Sequence, residues 1–355
     1  MKIKHIFVYL SINLLIFGII YCYIYYYPKQ LMPIGKIVHV TTPDSLIYHN
    51  DCLHPCIRFD SINNSYHMVQ SPWYQGNDLI ENPIYYISKD YKNWDNGTII
   101  HSTPKKGYNS DPNIFVKSNG KLICIWREVS TPFCDSIKKF TAVRGGEVVD
   151  NQAVIKKNHL FSNKTNIISY DLSPCIISKD DTLLIYATWY QSLPSRKNKG
   201  IVIYKDTSIL KDEFYISDTI EVKSVLTVDK WKQFIFDDKM YFIPFPKKHD
   251  IWHFDLFEYN DNLYMVSVGK MDDNIMLSKS EDWKNFITYR LPLVNNHYTE
   301  SIVGERYYFY KPTAFVKNDS LFLFYTGNTM KSKEEWRNKL FYTKMNVKEL
   351  LDNIK

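Results

Sequence analysis

The stretch that decides the fold is NSDPNIFVKSNGKLICIWRE, residues 109–128. Two runs rich in β-branched and other apolar residues flank an Asn-Gly pair at Asn119 and Gly120. An Asn-Gly pair between two such runs is the strongest short-range signal for a β-hairpin. Folding about this turn brings Asp111 and Glu128 to the same open end, since both are about equally far from it. The sequence therefore predicts a hairpin that carries two carboxylates at one end.

The same hairpin unit recurs along the chain. Each copy starts as an extended segment, turns at Asn or Asp, and returns as an apolar run. The five copies start at His54-Pro55, Asp111-Pro112, Ser173-Pro174, His253-Phe254 and Lys311-Pro312. A repeat of about 50 to 60 residues built from three or four strands is typical of a β-propeller. We therefore predict an all-β fold: a five-bladed propeller over residues 51–345, preceded by a linker and first strand (29–50) and followed by a short C-terminal tail (346–355).

The first 28 residues have a different character. A basic start is followed by residues 6–27, which carry no charge and are about as long as the ~20 residues that a membrane helix needs. Pro28 and Lys29 end this run. We predict an N-terminal transmembrane helix that acts as a signal-anchor; a cleaved signal peptide, or a lipoprotein modified at Cys22, are the alternatives. Positive charge before the apolar run predicts that the propeller lies on the extracytoplasmic side.

Composition narrows the classes of ligand. The net charge of +6 is spread along the chain, which argues against a nucleic-acid partner. Aromatic residues make up 16% of the chain, a share that suits both strands and sugar-binding surfaces. Cys56, Cys124 and Cys175 fall in strand patterns, which predicts buried free thiols. We predict no cofactor, because the chain has no Gly-rich phosphate loop and no closely spaced set of metal ligands.

Several motifs resemble the five-bladed propellers of glycoside hydrolase family 43 and its neighbours. They are His54-Pro55, Glu81-Asn82-Pro83 followed by a Ser-Lys-Asp…Trp element, and Asn-Ser-Asp-Pro followed by Trp-Arg-Glu within residues 109–128. The resemblance implies a carbohydrate-binding scaffold. In that family the first two blades each supply an acid before Pro, and the third blade supplies a Glu. The matching positions here are His54, Asp111 and Ser173, so Asp111 alone keeps the family's residue.

The inner strands of a propeller start close to the central axis, so the five repeat starts are predicted to line one funnel. Carboxylates and imidazoles suit the hydroxyl groups of a sugar, and flat rings suit its apolar faces. We predict three catalytic carboxyl groups, Asp111, Glu128 and Glu81, because glycosidic cleavage needs an acid and a second carboxylate. The predicted substrate-binding residues are His54, Ser173, His253, Lys311, Trp73, Trp189 and Arg127.

The function predicted from these residues is that of a membrane-anchored glycoside hydrolase-like protein that acts on an oligo- or polysaccharide. A non-catalytic carbohydrate-binding propeller is the first alternative, because two of the three family acids are replaced. A structural or partner-binding propeller without a sugar ligand is the second. A metal held by His54, His253 and Asp111 is the less favoured interpretation of the two imidazoles, since no closely spaced ligand motif supports it; polar lining of the funnel is the favoured one.

Overall fold

A computed structural model describes residues 12–18, 38–40, 51–102, 107–130, 140–154, 161–162, 172–180, 182–193, 196–206, 216–222, 251–269, 274–289, 292–296, 307–328 and 338–352. In these residues 22 strands form five antiparallel sheets. The predicted all-β propeller is confirmed, with one sheet for each of the five hairpin repeats. The tail forms a short helix, Val347–Asp352, which packs Val347 and Leu350 into the core of the last blade.

The strands follow the chain order almost without exception. The first strand is β1 (Val38–Val40). Blade one holds β2 (Cys56–Asp60), β3 (Ser65–Gln70), β4 (Ile84–Ser88) and β5 (Thr98–Ile99). Blade two holds β6 (Gly107–Val116), β7 (Leu122–Ser130), β8 (Phe140–Val149), β9 (Gln152–Val154) and β10 (Phe161–Ser162). Blade three holds β11 (Leu172–Lys179), β12 (Thr182–Leu193), β13 (Arg196–Asp206) and β14 (Ile216–Val222).

Blade four holds β15 (Ile251–Tyr259), β16 (Asn262–Gly269), β17 (Asn274–Ser280), β18 (Ile287–Thr288) and β19 (Val294–Asn295). Blade five holds β20 (Tyr308–Lys317), β21 (Ser320–Asn328) and β22 (Asn338–Asn346). Its fourth strand is β1, which pairs with β22 in antiparallel register, His39 opposite Phe341. An N-terminal strand thus completes the C-terminal blade, so the chain closes the ring itself.

The innermost strands of successive blades contact one another all the way around, in the order β2, β6, β11, β15, β20 and back to β2. Apolar clusters fill the spaces between blades. One of them joins Ile57 and Met68 of blade one to Phe324 and Tyr342 of blade five and to Val40 of β1. Each blade therefore buries both faces against its neighbours, which explains why its strands are apolar on both sides rather than in strict alternation.

Four of the five inner strands carry a β-bulge where they begin. The register shifts between Ser110 and Asn113 in β6, between Leu172 and Cys175 in β11, between Ile251 and His253 in β15, and between Phe309 and Pro312 in β20. Asp111 (φ 53°) and Ser173 (φ 48°) have left-handed backbone at these bulges. A bulge adds one residue and turns the side chains that follow it. The bulges therefore set which side chains of these four inner strands point toward the axis.

Two residues after each repeat start, a ring of side chains links neighbouring blades. We call this ring the axial belt; its members are Cys56, Asn113, Cys175, Asp255 and Thr313, all buried. Four members accept a hydrogen bond from a backbone N–H of the next blade: Cys56 from Ile114 at 3.4 Å, Asn113 from Ile176 at 3.2 Å, Asp255 from Ala314 at 3.1 Å and Thr313 from Ile57 at 3.1 Å. Such bonds hold neighbouring blades in register at the axis.

The cysteines and the N-terminus bear on two sequence predictions. Cys56, Cys124 and Cys175 are buried free thiols, as predicted.

Residues 12–18 of the predicted anchor are helical, and the rest of residues 6–27 lies outside the described residues. In the part of the chain that the structure describes, no helix is both long enough and apolar enough to span a membrane.

Candidate active site

The five repeat starts converge at one end of the axis, as the sequence predicted. His54, Asp111, Ser173, His253 and Lys311 are all buried. Asp111 Oδ1 lies 3.3 Å from His54 Nε2 and 3.2 Å from His253 Nδ1. Ser173 Oγ is within 3.5 Å of the same oxygen and forms a short hydrogen bond with His253 Nδ1. Four blades therefore contribute to one cluster, although its members are far apart in sequence.

Asp111 is the carboxylate at the centre of the cluster. Its second oxygen, Oδ2, lies 3.0 Å from Nε of Arg127 and accepts a hydrogen bond from Ser110 Oγ at 3.2 Å. Burial alone would raise the pKa of Asp111, but His54, Arg127 and His253 hold it well below its usual range. Asp111 is therefore ionised at neutral pH and held in place from several sides.

Glu81 joins the cluster from the loop that precedes β4. Its Oε1 lies 3.3 Å from His54 Nδ1, and its backbone carbonyl accepts a hydrogen bond from Asn109 N at 2.8 Å. Burial raises the pKa of Glu81 to about 8, although Arg127 and a hydrogen bond from Ser110 act in the opposite direction. Glu81 and Asp111 thus contact opposite nitrogens of one imidazole, and they differ in charge at neutral pH.

The two imidazoles are neutral and enclosed by aromatic rings. Burial lowers the pKa of both His54 and His253, and Asp111 offsets only part of this effect. The ring of Tyr310 packs 4.6 Å from that of His253 and 5.3 Å from that of His54, measured between centroids. Trp252 contacts His253 edge-on at 6.0 Å. These aromatic side chains form part of the wall around the cluster.

Sequence reasoning missed four residues of this site: Ser71, which lies 2.9 Å from His54 Nδ1, and Ser110, Trp252 and Tyr310. The last three stand directly before a repeat start, within a bulge or beside it. A bulge at a matched place in several repeats could have identified them. Its signal, a left-handed residue next to Pro, cannot be seen in a single sequence without the strand register.

The expected pairing of Asp111 with Glu128 is wrong. The two strands pair about Asn119, with Val116 opposite Leu122, and the bulge in β6 then sets Asn109 opposite Glu128 and Ser110 opposite Arg127. Because side chains alternate along a strand, Arg127 points at Asp111 while Glu128 points to the other face. Glu128 forms an ion pair with Arg144 of β8. The structure therefore brings Arg127, Asp111 and Glu81 together, and it places Glu128 on the opposite face of β7.

The other predicted binding residues have different surroundings. Trp73 is partly exposed on the loop before Glu81, and its indole N–H donates to Asp78 at 2.7 Å. The side chain of Trp189 lies outside the described residues. Lys311 is fully buried, and its ammonium donates to the carbonyl oxygen of Pro112 at 3.1 Å. Lys311 therefore reaches from blade five to blade two, across the axis.

Three side chains of the cluster could hold a metal ion. One ligand atom each from His54, Asp111 and His253 lies within 4.8 Å of the other two. Neutral imidazoles and an ionised carboxylate are the forms in which these groups bind divalent ions. Among the described residues, Nε2 of His253 is buried without a hydrogen-bond partner, and Nε2 of His54 faces only Asp111. The donor set therefore fits a metal chemically, although its members are too far apart in sequence to form a spacing motif.

Comparison with known proteins gives the fold its context. No family model matches the chain, and no curated protein is similar to it in sequence. Solved structures are similar in fold. An N-acetylgalactosamine deacetylase from F. plautii, in complex with blood group B trisaccharide, has a TM-score of 0.64 and 13% identity, with 92% of this chain and 97% of that chain covered.

Two glycoside hydrolases show the same likeness. A thermostable family-43 enzyme has a TM-score of 0.54 and 12% identity, covering 86% of this chain and 91% of its own. A family 117 enzyme of the marine bacterium Zobellia galactanivorans has a TM-score of 0.57 and 11% identity, covering 90% and 92%. The resemblance to the five-bladed propellers of family 43 and its neighbours is thus confirmed at the level of the fold.

Proposed function

We propose that this chain is a glycoside hydrolase-like enzyme that cleaves a glycan in the propeller funnel, with Asp111 and Glu81 as its carboxyl pair. One observation carries the proposal: the two carboxyl groups contact opposite nitrogens of His54, each at 3.3 Å. Glycosidic cleavage requires one carboxyl group that donates a proton and a second that is ionised. Asp111 and Glu81 meet that requirement within a single buried cluster.

The environments of the two carboxyl groups support separate roles. A pair of titratable groups whose pKa values are pushed apart marks an acid and a base. Glu81, with a pKa of about 8, carries a proton at neutral pH and can deliver it to the leaving-group oxygen. Asp111, ionised and fixed by Arg127, can orient water or stabilise positive charge that develops on the sugar ring. His54 keeps the two groups at a set separation.

A second candidate function is the removal of an acyl group from a sugar. The donor set of His54, Asp111 and His253 favours it, since a divalent ion bound there would supply activated water. The fold shared with an N-acetylgalactosamine deacetylase supports the same candidate. In this case Arg127 would hold Asp111 in its binding orientation, and Tyr310 and Trp252 would pack against the sugar.

Product analysis on a glycan panel tests these proposals. The glycosidase should release reducing sugar, and the second candidate should release free acetate. In either case we expect turnover to be lost in both Asp111→Asn and Glu81→Gln. Glu281→Gln is the matched control, because Glu281 is 79% exposed and remote from the cluster. Reducing sugar that forms in the presence of a chelator supports the glycosidase. Acetate whose release stops with a chelator supports the second candidate.

Binding without turnover would refute both catalytic proposals. It would favour the non-catalytic carbohydrate-binding propeller, provided that Asp111→Asn leaves the affinity unchanged. A chain that neither turns over nor binds any glycan would instead support a structural or partner-binding role.

We also propose that residues 6–27 anchor the chain in a membrane, with the propeller on the extracytoplasmic side. The support is the uncharged run and the basic residues before it. A polysaccharide substrate outside the cytoplasm would be consistent with this orientation. Membrane fractionation, followed by protease treatment of intact cells, tests it. A propeller recovered in the soluble fraction would overturn the membrane anchor. A propeller protected from protease in intact cells would overturn the orientation.

A further inference from the structure

We propose that the glycan bound in the funnel is acidic, and that the ammonium of Lys311 recognises its carboxylate or sulfate group. This inference rests on the proposed function, since it names the substrate class of the same site. Lys311 differs in its ion pairing from the other buried cations near the axis.

The arginines near the axis have carboxylate partners. Arg58 forms a two-point ion pair with Asp255, with distances of 2.6 and 2.8 Å, and Arg127 pairs with Asp111 at 3.0 Å. Lys311 is the exception among the described residues. It is 0% exposed, its ammonium donates to the carbonyl oxygen of Pro112, and no described carboxylate lies within ion-pair distance. A buried charge that lacks a counter-ion costs several kcal/mol.

The position of this ammonium points to the funnel. Lys311 directly follows Tyr310, and Pro112 directly follows Asp111, so the ammonium lies within one residue of the cluster on two sides. Its charge acts with burial to lower the pKa of both His54 and His253. Among the described residues, the carbonyl oxygen of Pro112 accepts one of its three donor hydrogens. A ligand anion in the funnel would supply the missing counter-ion.

Two classes of sugar carry an anion that Lys311 could bind. Uronic acids present a carboxylate and sulfated sugars present a sulfate ester. Both are oxygen anions that an ammonium binds through charge-assisted hydrogen bonds. The chemistry that Lys311 recognises is therefore shared by the two kinds of sugar.

Calorimetric titration of the full chain tests the inference without any need for turnover. The probes are galacturonate, glucuronate and galactose 6-sulfate, each compared with its neutral parent sugar. We expect the acidic sugars to bind about tenfold or more tightly than the neutral ones, the effect of one charge-assisted hydrogen bond. Tighter binding of the uronates alone, or of the sulfate alone, would identify which anion is recognised. Equal affinity of acidic and neutral sugars, or no binding of any acidic sugar, would overturn the proposal.

Lys311→Met is the diagnostic variant, and Lys344→Met is its control, because Lys344 is an exposed lysine of the same blade. Met fills nearly the same volume as Lys without the charge. We therefore expect Lys311→Met to melt at the same or a higher temperature and to lose the preference for acidic sugars. A variant that keeps the preference would refute the role of Lys311.

If Lys311→Met failed to fold, the salt dependence of wild-type binding would decide. The affinity for acidic sugars should fall as salt rises while that for neutral sugars stays constant, and the same response for both would refute the proposal. Failure of this inference is distinct from failure of the proposed function. Turnover of a neutral glycan would support the proposed enzymatic function and would exclude an acidic substrate.

Discussion

Asp255 is the residue whose replacement should most weaken the propeller, because the axial belt closes around it. Its carboxylate accepts hydrogen bonds from Arg58, Thr313 and the backbone N–H of Ala314, at distances from 2.6 to 3.1 Å. The Asp255→Asn variant keeps the size of the side chain and removes its charge. Arg58 then remains in the interior as an unpaired cation. We expect the free energy of unfolding to fall by about 3–5 kcal/mol, the usual cost of breaking a buried ion pair.

The pKa of Asp255 gives an independent estimate of this loss. Burial alone would raise that pKa, but Arg58 and the hydrogen bonds of Thr313 and Cys175 lower it from 3.8 to about 2. At 1.36 kcal/mol for each pKa unit, the ionised form stabilises the fold by roughly 2 kcal/mol at pH 7. Because the folded pKa is the lower one, this contribution is complete above the unfolded pKa and is lost as pH falls toward 2. About half of it should remain at pH 3.

Urea unfolding at pH 7 and at pH 3 measures both effects. The difference in unfolding free energy between wild type and Asp255→Asn should be large at pH 7 and smaller by about 1 kcal/mol at pH 3. Glu281→Gln serves as the exposed control and should change neither value. A loss below about 1 kcal/mol at pH 7 would show that the belt does not depend on this ion pair. A difference that does not change with pH would show that the charge of Asp255 is not what stabilises it.

Three further predictions concern the site and the ring. Glu81→Gln should reduce kcat by roughly 10²- to 10⁴-fold on whichever glycan is turned over, with unchanged melting temperature, as steady-state kinetics will measure. Gly97→Ala should destabilise blade one by more than about 1 kcal/mol in thermal unfolding, since Gly97 has φ +69° and a Cβ there would lie 2.3 Å from the ring of Tyr86. Val40→Asp should open the closure of the ring and increase proteolysis, because Val40 is buried in the core that joins blades five and one.

The fold could be predicted from sequence because it is repeated. Each of the five hairpins carries its own turn signal, and errors in one copy are corrected by the others. The turn at Asn119-Gly120 fixes where β6 ends and β7 begins, and Asn318-Asp319 does the same for β20 and β21. A repeat also fixes where each inner strand starts. For that reason the positions of His54, Asp111 and His253 around one axis followed from counting residues.

The partner of Asp111 could not be predicted in the same way, because it depends on the exact centre of the turn and on a bulge. A turn centred between Asn119 and Gly120 would place Glu128 opposite Asp111. The strands instead pair about Asn119, and beyond the bulge in β6 Glu128 lies opposite Asn109. Arg127 is the residue of β7 that reaches Asp111. The chemistry changes with it. Two facing carboxylates would repel and one would hold a proton, whereas a guanidinium keeps Asp111 ionised. The proton-carrying role then falls to Glu81, which belongs to another blade.

The cluster keeps an ionised carboxylate although two positions where the resemblance implies acids carry other residues. These positions are His54 and Ser173, and both contact Asp111. Glu81 enters from a loop, where its position is not tied to the strand register. A carboxyl group on a loop can become more or less buried without a change in any blade. Its pKa changes with its burial. The proposed activity should therefore depend more on the loop that carries Glu81 than on the strand positions that define the fold.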